Sequence, residues 1–524
     1  MASSFLMSCA PAFGEMKPMF RALSCFQLLA IAGLIVAVLA VSSPAEPSAL
    51  ASLDLPQDGG QQSVDQSAGD QRPNQSQARE SATEPLQTGA KDAARQFQRV
   101  QRKLAQKIRS GVDADRMEVM IDLRNYPVLP AARMAIGALD DADQKVREAA
   151  HETLVSFHQD PRICRHFLST LREDALRSGW TATSYTLLTA LAMTSDPAIQ
   201  AEVVKLVDAH ATVRPNNMTV LNSVLDGLGE RGDELALSAL RTLTHCDLLL
   251  NDFGVRRGLV QAIIAIRAPE SVDTLLKLMP NIDGEVQGDA IKYLSALSGE
   301  RYGGNLEAWD AWWEKNRDGF EFPSQLTSPK EIMAAFAAEG TSTYYDLPIF
   351  ARRLVFVIDS SASMRKRGRM DAAKLELIDA VNSLDEETSF GIVAFNSSTG
   401  AWQRVLQKAT TPAKASAAMW INSLEPINYT ASYDALEATF GFKNLEAIYF
   451  VSDGAPTVGK IVDKDEIVGA VREGNRTRRV TIYTIGIEPD EDKDNTFEGF
   501  LKTLAEENYG LYRPVGKFGP GGNR

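Results

Sequence analysis

In the last third of the chain, four short runs at 354–358, 390–395, 448–451 and 480–487 are dominated by apolar and β-branched residues and bounded by turn formers. A strand that is apolar on both faces has no side to turn to water, so it has to be covered above and below. Between the first two runs lies RMDAAKLELIDAVNSL, where Met370, Ala373, Leu377, Val381 and Leu384 recur at helical spacing on one face. Doubly covered strands alternating with helices predict a doubly wound parallel sheet, an α/β domain spanning 350–516. Ligands of such sheets bind at the carboxyl ends of the strands.

The residues expected at those ends carry oxygen. The first run closes in Asp359, with Ser361 and Ser363 on the following turn, and the run at 448–451 leads into Ser452-Asp453-Gly454. Between them, Asn428-Tyr429-Thr430 precedes a helix beginning near Ala431. All five histidines (His151, His158, His166, His210 and His245) lie far upstream, so a borderline or soft metal is disfavoured. Hard oxygens suit Mg²⁺, Mn²⁺ or Ca²⁺. Two carboxylates only just neutralise a divalent ion, which then stays electrophilic enough to accept a further carboxylate.

This constellation resembles the von Willebrand factor type A domain and its metal-ion-dependent adhesion site. The resemblance covers 352–515 and rests on D-x-S-x-S at Asp359, Ser361 and Ser363, T-x-x-x-D-A-L from Thr430, and SDG around Asp453. It implies that Ser361, Ser363 and Thr430 coordinate a divalent cation, Mg²⁺ ahead of Mn²⁺ or Ca²⁺. Asp359 and Asp453 would bind directly or through water, and a Glu or Asp of a partner protein would complete the octahedron. Two positions depart from the family pattern. Ala362 stands where Gly is usual, and Asn428-Tyr429 where Gly-Gly is frequent, so the loops are expected to be reshaped.

Upstream, 93–322 is nearly all helix-period pattern broken by short polar turns. DQKVREAAHETL places Val146, Ala150 and Leu154 where DGEVQGDAIKYL has Val286, Ala290 and Leu294, and EVVKL at 202–206 matches TLLKL at 274–278. These offsets are near multiples of about 35 residues, the length of one two-helix unit, and the region resembles degenerate HEAT-like repeats. Such a stack serves either as a protein-binding surface or as a spacer. At its end, Asn305 is expected to cap a helix whose Trp309, Trp312 and Trp313 seal the stack and dock the next domain, with 323–349 as connector. Cys164-x-His166 and His245-Cys246 have the wrong spacing for zinc. Cys164 and Cys246 are read as buried thiols, or as a pair if the protein is exported.

The first 54 residues read as an address. Lys17 and Arg21 precede an apolar segment at 23–41, followed by small-residue cleavage sites at Ser43-Pro44-Ala45 and Ala49-Leu50-Ala51. This is a signal peptide or an uncleaved transmembrane signal anchor. Either way the remainder is expected outside the cytoplasm, membrane-anchored or secreted or periplasmic. Residues 55–92 form a Gln/Ser-rich spacer expected to be disordered, and 517–524 a flexible tail.

A net charge of −13 argues against a nucleic-acid partner. The last domain lacks a histidine for a nucleophile–base pair, and no Walker A or G-x-G-x-x-G motif appears, so no enzyme activity is expected. The leading expectation is an exported module that binds a protein carboxylate through a metal, with the repeats as scaffold. One alternative is a phosphatase-like hydrolase using Asp359 as nucleophile, although Ser361 occupies the second position of the D-x-D that such enzymes need. Lys460 would then have to bind phosphate. Another is a purely structural envelope protein with a degenerate metal site.

Overall fold

Polar caps start about half of the helices of the amino-terminal region. The side chains of Asp143, Asp160, Thr181, Asp233, Asp252 and Asn305 each accept a hydrogen bond from a first-turn amide, satisfying donors that the helix leaves free. The computed structural model describes residues 75–210, 217–244, 252–326, 331–332, 342–488 and 496–516. The apolar segment at 23–41, the tail at 517–524, His245 and Cys246 lie outside the described residues. Among the described residues no helix is long and apolar enough to cross a membrane.

Thirteen helices precede the sheet among the described residues: α1 (Gln75–Ser110), α2 (Asp113–Leu123), α3 (Leu129–Gly137), α4 (Gln144–Ser156), α5 (Pro161–Ser178), α6 (Ala182–Met193), α7 (Pro197–His210), α8 (Asn217–Arg231), α9 (Glu234–Leu243), α10 (Phe253–Ala265), α11 (Pro269–Leu278), α12 (Gly284–Ser298) and α13 (Leu306–Asn316). Helices α2, α4, α6, α8, α10 and α12 pack each on the next as one row, and α3, α5 and α7 form part of a second row. One of the two matched sequence pairs falls in the first row. Val146, Ala150 and Leu154 of α4 and Val286, Ala290 and Leu294 of α12 are all fully buried in the first row. The other pair lies on α7 and α11.

Helix α1 corrects one expectation, since it begins at Gln75, inside the stretch expected to be disordered. Gln, Ala and Glu recur over its first half, and all three are good helix formers. Helix propensity needs no apolar run, so a composition that signals disorder is compatible with a helix here. Farther along, Phe97 and Leu104 anchor it to the stack.

The second unit is a mixed sheet of order β5-β4-β3-β7-β8-β9, with β6 also on β4. Strands β3 (Arg353–Asp359), β4 (Ser389–Phe395), β7 (Ala447–Ser452), β8 (Thr481–Ile487) and β9 (Tyr512–Val515) are parallel, while β5 (Thr399–Ala401) and β6 (Gln407–Lys408) run antiparallel to β4. Pleating sends Leu354, Phe356 and Ile358 into the core beneath α14 (Arg369–Ser383) and α15 (Thr411–Asn422). Val355 and Val357 enter the opposite core, with α16 (Ser432–Thr439), α17 (Lys464–Asn475) and α18 (Thr496–Glu506). Within the connector at 323–349, β1 (Thr343–Tyr344) and β2 (Leu347–Pro348) form a hairpin. Its two-residue turn, Tyr345-Asp346, has positive φ at both positions.

The tryptophans close the stack, and the hydrogen bonds and ring contacts they make among the described residues stay within the helical region. Trp309 and Trp313 are buried, Trp313 Nε1 donates to Asp273 on α11 (2.7 Å), and Phe320 packs edge-on to Trp312 and Trp313. Docking involves polar groups on α8, α10 and α12 against the sheet, and on α4, whose Arg147 and Glu148 pair with Glu473 and Arg472 of α17. Arg257, 1% exposed, donates to Arg479 O and Thr481 Oγ1 (both 2.6 Å) while Asp289 holds the rest of its guanidinium. Arg479 reaches back to Asn222 (2.9 Å), Gln261 (2.8 Å) and Asp226 (2.5 Å). Glu446 Oε2 accepts from the amides of Glu285 (3.1 Å) and Arg352 (3.0 Å). Arg352, Glu446 and Arg479 all lie at the amino ends of β3, β7 and β8, so the carboxyl ends stay uncovered by the stack.

Candidate metal site

Asp359 is the last residue of β3 and is fully buried. Its Oδ1 accepts from the Ser361 amide (2.7 Å) and its Oδ2 from Ser452 Oγ (2.6 Å). Burial, and then the negative charge of Asp453, push its pKa up to about 7, against the pull of these hydrogen bonds. Asp453 follows β7 with its side chain out of solvent. Its Oδ1 accepts from Ser363 Oγ (2.6 Å), which lies 2.9 Å from Ser361 Oγ. Four of the five sequence-predicted ligands, Asp359, Ser361, Ser363 and Asp453, therefore meet through direct or shared hydrogen bonds.

Thr430 is brought alongside by its backbone. The Ile427 amide donates to Ser360 O (2.8 Å) and the Ala362 amide to Asn428 O (3.0 Å), tying the loop before Thr430 to the loop carrying the serines. Thr430 itself is 5% exposed and is held by Thr457, whose Oγ1 accepts from the Thr430 amide (2.9 Å). Its hydroxyl makes no hydrogen bond to the other four among the described residues.

The two departures from the family pattern have local explanations. Asn428 has φ +64°, the left-handed region that favours glycine, and asparagine is among the side chains that adopt it most readily. Ala362 has no positive φ, so nothing there demands a glycine.

Three neighbours were not assigned from sequence. Ser452 holds Asp359. Arg369 Nη1 donates to Asp453 Oδ2 (2.7 Å), and the same guanidinium donates through Nε (3.0 Å) and Nη2 (2.6 Å) to Glu488 Oε2. Ser452 stood in the SDG motif, but Arg369 and Glu488 are 119 residues apart and share no pattern.

Among the described residues no group of three or more His, Cys, Asp or Glu converges on one point. A metal here has to be held by hydroxyls as well as carboxylates. The donors present fit a hard divalent cation: they are all oxygen, and two are acidic. Cys164 is buried, donates to His158 O (3.2 Å) and has its thiol pushed up to about 11 by burial, so it offers no thiolate. Lys460 is engaged with Glu437 and its amide with Asp434.

Comparison with known proteins matches residues 352–514 to the family model described as von Willebrand factor type A domain. Human "von Willebrand factor A domain-containing protein 3A" is 26% identical over 170 residues, 32% of this chain and 14% of that protein. "Inter-alpha-trypsin inhibitor heavy chain H3" of Mesocricetus auratus is 24% identical over 194 residues, 34% of this chain and 20% of that protein. The chain thus spans a fifth or less of these relatives. Among solved structures, "von Willebrand factor type A from Catenulispora acidiphila" is similar at 19% identity and a TM-score of 0.27, covering 32% of this chain and 39% of that one.

Proposed function

We propose that this chain, in which residues 352–514 form a von Willebrand factor type A domain, is a protein-binding module that takes a partner's Glu or Asp at a divalent cation. Domains of this type are generally interaction modules rather than enzymes. The observation that carries the reading is the convergence of Asp359, Ser361, Ser363 and Asp453 at the uncovered carboxyl ends of β3 and β7, with the Thr430 loop alongside. Asp359, Ser361, Ser363, Thr430 and Asp453 would hold the ion, which when bound supplies an electrophilic position for an incoming carboxylate.

The chain's own groups do the remainder. Ser452 and the Ser361 amide orient Asp359, and Thr457 orients the Thr430 loop. Tyr429, 65% exposed, stands on the rim, where an aromatic side chain can pack against a partner. We propose further that the helical stack is a HEAT-like mount, and that the segment at 23–41 exports the module as an anchor or cleaved leader. An aspartate-nucleophile phosphatase is the less favoured reading, because Ser361 replaces the second acid and Lys460 is turned to Glu437.

Calorimetric titration of Mg²⁺, then of a Glu-containing peptide, into the full chain tests the proposal. Saturable binding of both, lost in Asp359→Ala, is expected. Equal binding by wild type and Asp359→Ala would remove it.

A further inference from the structure

Hard divalent cations differ in how many oxygens they demand. Ca²⁺ takes six to eight ligands, often with a bidentate carboxylate, whereas Mg²⁺ holds to an octahedron of single oxygens. The second oxygen of each site carboxylate therefore bears on ion choice, and here both are engaged. Asp359 Oδ2 accepts from Ser452 Oγ at 2.6 Å, and Asp453 Oδ2 from Arg369 Nη1 at 2.7 Å.

The two restraints differ in stiffness. A serine hydroxyl can rotate away. Arg369 cannot, because its guanidinium is planar and its Nε and Nη2 are both fixed on Glu488 Oε2. Arg369 is 1% exposed and Glu488 2%, so neither can exchange its partner for water. Arg367 Nη1 adds a further contact to Glu488 Oε2 (3.1 Å). Glu488 also offsets the charge of Arg369, so the arginine holds Asp453 without cancelling the site's attraction for a cation.

We infer that Arg369 is a specificity-determining residue of this site: by occupying Asp453 Oδ2 from behind it denies the cation a bidentate carboxylate, turning the site from Ca²⁺ towards Mg²⁺ and Mn²⁺. The inference rests on the metal-binding reading above but assigns a residue outside its ligand set. Asp453 is left presenting Oδ1 alone, on the side of Ser363.

The test is the ratio of Ca²⁺ to Mg²⁺ dissociation constants, measured by calorimetry on the full chain. Arg369→Met is combined with Glu488→Gln, so that Glu488 is not left as a second buried carboxylate without its arginine beside Asp453. Circular dichroism melts of the metal-free proteins check folding. Wild type is expected to prefer Mg²⁺, and the double variant to lose about ten-fold or more of that preference, chiefly by binding Ca²⁺ more tightly. Arg369→Lys keeps the charge but not the planar fork. It should move the ratio the same way by less, and it carries the test if the double variant does not fold. An unchanged ratio in a folded variant overturns the role of Arg369 while leaving the metal reading standing. Binding of neither ion by wild type overturns both.

Discussion

Gly284 is one place where the stack closely approaches the sheet, and Gly284→Ala tests how they are joined. It is the first residue of α12 and has φ +61°. An added Cβ would lie 2.0 Å from Glu446 Oε2, 2.9 Å from its Cδ and 3.2 Å from Arg352 N. The left-handed backbone costs alanine about 1–2 kcal/mol. The contact costs more, because the Glu446 side chain is fully buried and has no solvent to turn into. Moving it breaks the hydrogen bonds from the Arg352 and Glu285 amides, each about 1.5–3 kcal/mol for a charged acceptor. The sum, about 4–8 kcal/mol, rivals the whole stability of an ordinary domain.

The control is built into the same helix. Gly299, its C-cap, has φ +75° and would have nothing within 4 Å of an added Cβ, so Gly299→Ala carries the backbone cost alone. Differential scanning calorimetry of the full chain should show Gly299→Ala slightly destabilised with an unchanged profile. Gly284→Ala should show a junction that melts before the sheet, with new proteolytic sensitivity around 283–285 and 446. If the two variants melt alike, the Glu446 contact contributes nothing and the reasoning fails.

Two further outcomes follow from single residues. Burial pushes Glu446 up to about 7, against the pull of Arg353. A raised acid pKa gives stability that is full below the unfolded value of about 4.5 and lost as pH climbs to about 7, so Glu446→Gln should remove about 3 kcal/mol of pH dependence over that window in pH-resolved urea unfolding. An identical slope in both proteins would show that Glu446 does not titrate there. At Asn428, with φ +64°, Asn428→Gly should leave stability and Mg²⁺ affinity nearly unchanged, whereas Asn428→Val should cost about 1–2 kcal/mol and weaken Mg²⁺ binding. Equal melting of the two variants would count against a strained loop.

What could be read beforehand depended on whether a signal was local. The runs around Val355, Ile392, Phe450 and Ile482 announced β3, β4, β7 and β8 because strands covered on both faces leave no room for polar residues. Strand β9 escaped notice: Tyr512, Arg513 and Val515 are only half-buried at the sheet edge and Pro514 is exposed, so no apolar run marks it. Val146 and Val286 aligned because equivalent positions in a stack face equivalent neighbours. Arg257 and Arg479 could not be singled out, since nothing along the chain tells an exposed arginine from one buried by a distant helix. The same limit applied at the candidate metal site. Asp359, Ser361, Ser363, Thr430 and Asp453 sit in motifs, whereas Arg369 acts on Asp453 from the start of a helix whose pattern only reports its apolar face.

The chemistry of the junction bears on how the site is presented. Apolar faces can slide over one another at little cost, but a buried guanidinium that loses its partner is left uncompensated, typically at several kcal/mol. Arg257 bridges Asp289 to Arg479 O and Thr481, Arg479 bridges three residues of α8 and α10, and Glu446 receives the first turn of α12. Each contact is directional, and each joins the stack to the amino end of a strand whose neighbours carry the site at the other end. Strand β3 spans seven residues, about 23 Å at the usual rise, between Arg352 at the junction and Asp359 at the site. A rotation of the sheet on the stack would have to break several of these buried bonds together. The candidate site is therefore held in one attitude relative to the helices, on a fixed surface rather than on a domain at the end of a tether.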